Sequence, residues 1–288
     1  MIHRIHNTFL EVAASDLGAE LMSIRSVGGR EYLWQGDPAY WKGRSPTIFP
    51  YVARLNKGTY LLEGREYHLP IHGFARTSVF ALEARTEDSM TFLLESTPEL
   101  LEMYPFRFRY HLCYRLAEDT LRAEITVENL DDKTMFFGFG GHPGIRVPLE
   151  AGLSFQDYTL EFTPCQPRRI LFDGDCMVSG EVPYPLDDNR IPLRHDLFDD
   201  DAIVLKNAGL PVTLKSEKGS HGVTMEAPGL PYIGFWHKPK TDAPFVCLEP
   251  WSSLPSRQGI TEDLATQPDL ISLPAGKTHT AFWSLRCF

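Results

Sequence analysis

Along much of this chain apolar and polar residues alternate with a period of two. In "FRFRYHLCYRL" Phe106, Phe108, Tyr110, Leu112, Tyr114 and Leu116 share one face, while Arg107, Arg109, His111, Cys113 and Arg115 share the other. In "LRAEITVENL" Leu121, Ala123, Ile125 and Val127 alternate with Arg122, Glu124, Thr126 and Glu128. Such alternation predicts antiparallel strands with one covered face and one wet face, and the intervening "AEDT" is hairpin-length. The same pattern marks "TFLEVAA", "AELMSIRS", "TSVFALEAR", "MTFLLES", "LSFQDYTLEF", "PVTLKSE", "HGVTMEA", "YIGFWHK", "APFVCLEPW" and "HTAFWSLRC". "SEKGSHGVTM" predicts a further hairpin, turned at Lys218 to Gly222.

Helical patterns are few. "TPELLEMY" offers Thr97 as N-cap and Pro98 at the first helical position, and "TEDLATQ" is a weaker second. The polar, Pro-rich stretch 172–202 reads as a long excursion within one domain, because the strand patterns on both sides of it are alike. The expectation is an all-β fold, a large β-sandwich or stacked-sheet architecture with few short helices, in a single domain spanning 1–288.

Charge narrows the function classes. With 28 basic and 38 acidic residues the net charge is −10, and no Lys/Arg-rich run is present, so nucleic acid is an improbable partner. A phosphorylated small molecule is still compatible with a local arginine pair. The five cysteines, Cys113, Cys165, Cys176, Cys247 and Cys287, are scattered and lack CxxC spacing, which argues against a disulfide framework or a zinc site and for reduced thiols in a cytoplasmic protein. Neither a secretory leader nor about 18 uninterrupted apolar residues is found, so no membrane association is expected.

Four stretches combine reactive side chains with residues that stiffen backbone. "HGFAR" holds His72 and Arg76, either as a solvated turn or as groups aimed at a ligand. "FFGFGGHPG" places glycines just before His142, which suits close backbone approach and fixes where that histidine points; a plain strand-to-loop turn fits equally. In "APFVCLEPW" Glu249 ends an apolar run beside Trp251. Desolvation there would raise its pKa toward a base role, whereas an edge glutamate would have none. "HDLFDDDAIVL" carries Asp196, Asp199, Asp200 and Asp201 before an apolar strand; it lacks the spacing of a calcium loop, and a solvated turn accounts for most of the four. GxSxG, Walker A, HExxH and helix-opening GxGxxG patterns are missing. What survives suits general acid/base work on a neutral polar substrate.

In this order, "SPTIFPYVARLNKGTYLLEGREYHLPIHGFAR", "GFGGHPG", "LFDDDAIVL" and "FVCLEPW" resemble the aldose 1-epimerase (galactose mutarotase) superfamily, and with "YLWQGDPAYWKGRSPTIFP" its LacX-type branch. The likeness runs from about residue 15 to the C-terminus. It implies a galactose mutarotase-like antiparallel β-supersandwich and an aldose mutarotase acting on a hexose without cofactor or metal. It further implies His142 as general acid toward the ring oxygen, Glu249 as base on the anomeric hydroxyl, and His72 as a second histidine that binds the sugar and assists protonation. Arg54, Arg76, Asp201, Trp236 and Trp251 would bind substrate. Two alternatives stand beside it: a hexose 6-phosphate mutarotase with Arg54 and Arg76 on the phosphate, and a carbohydrate-binding or sensing protein without turnover. A small-molecule sugar is the partner implied, to a monomer or homodimer.

Overall fold

The computed structural model describes residues 1–173 and 175–288; Gly174, inside the Pro-rich stretch, lies outside the described residues. Nine strands form the largest sheet and six the next, with smaller two- and three-stranded sheets at the periphery. At the centre of the large sheet Phe108–Ala117 and Thr120–Asn129 form the expected hairpin, and Thr278–Cys287 joins the second of them antiparallel. Burial follows the alternation. Phe108, Tyr110, Leu112, Tyr114 and Leu116 point into the core, and the opposite face carries cross-strand ion pairs such as Arg109–Glu95 at 2.8 Å. The Val212–Ser216 and Gly222–Glu226 hairpin also forms as expected.

The six-stranded sheet behaves differently, because both of its faces are covered. Ile203, Leu205, Ile233, Phe235, Val246 and Leu248 join the core shared with the nine-stranded sheet. Their alternates, Val204, Tyr232 and Trp251, and beside them Phe245 and Cys247, pack in two smaller clusters on the opposite side. The strand Phe245–Trp251 is therefore buried at every position. Its uninterrupted apolar run is the sequence mark of a strand covered on both faces.

Thr97 caps the single α-helix among the described residues, Pro98–Met103, its side chain accepting from the Leu100 N–H. No helix among the described residues is long and apolar enough to cross a membrane. "TEDLATQ" is not helical. Glu262–Asp263 instead pairs parallel with Thr59–Leu62, and a single turn follows in which Thr266 and Gln267 donate to the Asp263 carbonyl. The reason is Glu262, whose buried carboxylate accepts from the Arg257 backbone N–H and, bidentately, from its guanidinium. That tertiary contact overrides a weak local helical preference.

Two loops are stitched together beside the six-stranded sheet. His72 N–H donates to Ala53 O at 2.8 Å, Phe49 N–H to His72 O, and Ala75 N–H to Phe49 O. Ala53, His72 and Gly73 all adopt positive φ. Gly73 cannot be replaced without disturbance, since a Cβ there would lie 2.2 Å from Phe49 O. Gly73→Ala combines a left-handed backbone with overpacking against a carbonyl and is expected to cost about 2–4 kcal/mol, read as a lowered urea midpoint at unchanged m-value.

Candidate active site

The site grows from the outward face of the strand Phe245–Trp251. Period two puts Cys247, Glu249 and Trp251 on that face, and the neighbouring strand Tyr232–Trp236 adds Trp236. Opposite Glu249 in the register stands Gly234. On the other flank the segment Gly140–Gly144 is bonded to the same strand: Gly141 N–H donates to Pro250 O and Leu248 N–H to Pro143 O. A Cβ on Gly140 would lie 2.7 Å from Pro250 O, and one on Gly141 2.7 Å from the Trp283 indole. The glycines preceding His142 thus let its backbone press against the sheet, which fixes the imidazole beside Glu249. His142 Nε2 and Glu249 Oε2 are 3.2 Å apart, and both residues are buried.

Burial sets the charge of this pair. The Glu249 carboxyl is pushed well above the usual carboxylate range by desolvation and then by the like charge of Asp201. Desolvation lowers His142 to about 3; its own backbone opposes this, and the Arg76 charge adds to it. Burial thus favours the uncharged form of both groups. His142 Nδ1 and Trp251 Nε1 have no hydrogen-bond partner among the described residues.

His72 lies against His142, ring centroids 5.4 Å apart and edge to face. The Ala53 backbone N–H donates to its Nδ1 at 3.2 Å, so the ring proton is on Nε2. Burial lowers the His72 pKa well below its ordinary value, helped by His142, Arg76 and Arg54. It is a neutral imidazole of fixed tautomer, suited to donate a hydrogen bond and not to carry charge.

All eight residues singled out in the sequence, His72, His142, Glu249, Arg54, Arg76, Asp201, Trp236 and Trp251, line one cavity of about 320 Å³. That volume sits at the small-ligand end of binding sites, about 300–1,000 Å³. Of the four aspartates only Asp201 lines it. Asp196 pairs with Arg194, Asp199 accepts from Lys240 N–H, and all three others are exposed. Asp201 turns inward through a positive φ of 78° and accepts from Ala202 N–H and from the Cys176 thiol at 2.7 Å. Desolvation and that carboxylate push Cys176 up to about 12, so it stays a thiol. Arg76 and Arg54 make no ion pair within 4.0 Å among the described residues; Arg76 is half-buried and Arg54 exposed.

Sequence reasoning missed two contributors. Trp41 stacks on His142 with centroids 5.0 Å apart and meets Trp236 edge-on, closing the aromatic wall. Its only signal is a large aromatic inside a loop rich in Gly, Pro and charge. Cys176, in the Pro-rich excursion, carries none.

The family model for aldose 1-epimerase matches residues 1–281. The chromosomal protein LacX of Lactococcus lactis subsp. lactis is 33% identical over 265 residues, covering 88% of each chain. A galactose mutarotase related enzyme from Lactobacillus acidophilus superposes with a TM-score of 0.94 at 34% identity, over 100% of this chain and 97% of the other. A galactose mutarotase-like protein from Lactobacillus casei does so at 0.95 and 30% identity, over 100% of both. This chain belongs to the aldose 1-epimerase family, on its LacX-type branch.

Proposed function

We propose that this protein is a mutarotase that interconverts the α and β anomers of a hexose by acid/base ring opening. The observation that carries the reading is the buried His142–Glu249 contact of 3.2 Å at the floor of a cavity walled by Trp41, Trp236 and Trp251. Indole faces suit the C–H surfaces of a pyranose, since their electron-rich faces attract weakly positive hydrogens. Within that cavity the pair holds one mobile proton, which passes from Glu249 to His142 across the contact as sugar hydroxyls replace the missing polar surroundings. Glu249 then takes the O1 proton while His142 gives one to the ring oxygen, and C1–O5 breaks to leave an aldehyde. Rotation about C1–C2 presents the other carbonyl face. The reverse transfers close the ring as the other anomer, so protons and electrons balance within the pair. His72, donor through Nε2, is a positioning group for the ring oxygen or a neighbouring hydroxyl.

Glu249→Gln or His142→Asn is expected to reduce the acceleration of anomer exchange by about 10²–10⁴-fold with folding unaffected, followed by polarimetry or by NMR exchange between anomers. Wild-type protein without acceleration on a panel of free aldoses and their 6-phosphates would sink the reading and leave a binding protein.

A hexose 6-phosphate is a second reading, favoured by two cavity-lining guanidiniums that have no acid partner among the described residues of an otherwise acidic protein. Guanidinium forks match phosphate geometry. If it holds, Arg76→Ala raises KM for the phosphorylated sugar by about 10–100-fold, the worth of one charged hydrogen bond, and leaves the free sugar nearly unchanged. Equal losses for both sugars speak for the free hexose.

A further inference from the structure

Beneath the proton pair lies a nucleophile that ring opening does not use. Cys247 precedes Glu249 by two residues on the same strand, so both side chains leave the same face. Cys247 is fully buried, free of any disulfide, and packed with Trp34, Ala243 and Phe245. One ligand atom each from His142, Cys247 and Glu249 come within 4.8 Å of one another. Among the described residues no other group of three His, Cys, Asp or Glu gathers in this way.

Imidazole nitrogen, thiolate sulfur and carboxylate oxygen are the three kinds of ligand that zinc takes from proteins, and sites with three protein ligands keep a fourth position open. Bonds of about 2.0–2.3 Å at tetrahedral angles require ligand atoms about 3.3–3.6 Å apart. The His142–Glu249 contact of 3.2 Å already has that spacing. The sulfur, within 4.8 Å, is at most about 1.2 Å beyond it, within reach of a side-chain rotation. We infer that His142, Cys247 and Glu249 form a binding site for a soft divalent cation, Zn²⁺ or Cd²⁺, whose open position faces the sugar cavity. Charge supports the choice. The thiol and the carboxyl each release a proton, and a doubly positive ion with one thiolate and one carboxylate leaves the buried site neutral, avoiding the cost of an uncompensated charge. Mg²⁺ and Ca²⁺, which want six or more oxygens, find only one carboxylate here. With imidazole and carboxylate both ligated, the lone pairs that would take up and pass on the proton are occupied by the metal. The ion is therefore an inhibitor of the ring opening proposed above, and this last consequence alone rests on that reading.

The test is titration of Cd²⁺ into the metal-free full-length protein, read by the ultraviolet charge-transfer absorption of a cadmium–thiolate bond. Wild type should give a saturable band at one equivalent. Cys247→Ala and the near-isosteric Cys247→Ser should lose it and bind more than about tenfold more weakly, the least that even an outer-sphere partner contributes. Cys176→Ala, which removes the other thiol beside the cavity, should keep the band. No band in wild type, a band that survives both Cys247 variants, or one lost with Cys176→Ala overturns the site. In parallel, Cd²⁺ should arrest anomer exchange by wild type and not by Cys247→Ala. If wild type shows no exchange, the band still decides the metal site, and that failure counts against the proposed activity alone.

Discussion

The 3.2 Å contact between His142 and Glu249 exists because two pieces of backbone that are far apart in sequence are bonded side by side. One is a strand covered on both faces, which keeps its carboxyl out of water. The other is a glycine-preceded segment thin enough to lie against that strand, with Trp283 and Pro250 in van der Waals reach. Neither piece fixes the proton's position alone. A carboxylate buried without a partner would cost several kcal/mol, as would a lone imidazolium, and burial favours the uncharged form of both groups. The dry floor is thus tolerable to the fold and reactive toward a ligand that brings its own polar groups.

Around this floor the remaining polar groups are arranged by backbone and not by one another. The stitched loops set His72 at positive φ and commit its Nδ1 to a backbone amide, which decides its tautomer before any ligand arrives. Asp201 is aimed inward by its own left-handed turn and anchored by Ala202 N–H and Cys176. These are pre-set donors and acceptors, which need no rearrangement when a ligand arrives.

Much of this was legible in the sequence, for identifiable reasons. Strands with one wet face, such as Phe108–Ala117, announce themselves by alternation, and Thr97–Pro98 announces a helix start. His142 and Glu249 stood out because glycines and an uninterrupted apolar run flank them. Strands of two or three residues, Glu262–Asp263 among them, are too short for any periodicity, and that one depends on Arg257. Choosing Asp201 from four aspartates needed the resemblance, since side-chain identity is the same at each and only φ differs in consequence. Trp41 and Cys176 reach the cavity through loop paths that no local pattern encodes.

The proposed reactive pair and several of the groups around it stand on different kinds of backbone. Glu249 is held by a central strand and His142 by a segment welded to it, whereas Arg54, Arg76, Asp201 and Trp41 sit in loops or on a single 3-10 turn. On the proposed reading, divergence in those loops can retune which sugar is held, its size, its charge or its substituent at C6, while the pair at C1 keeps its register.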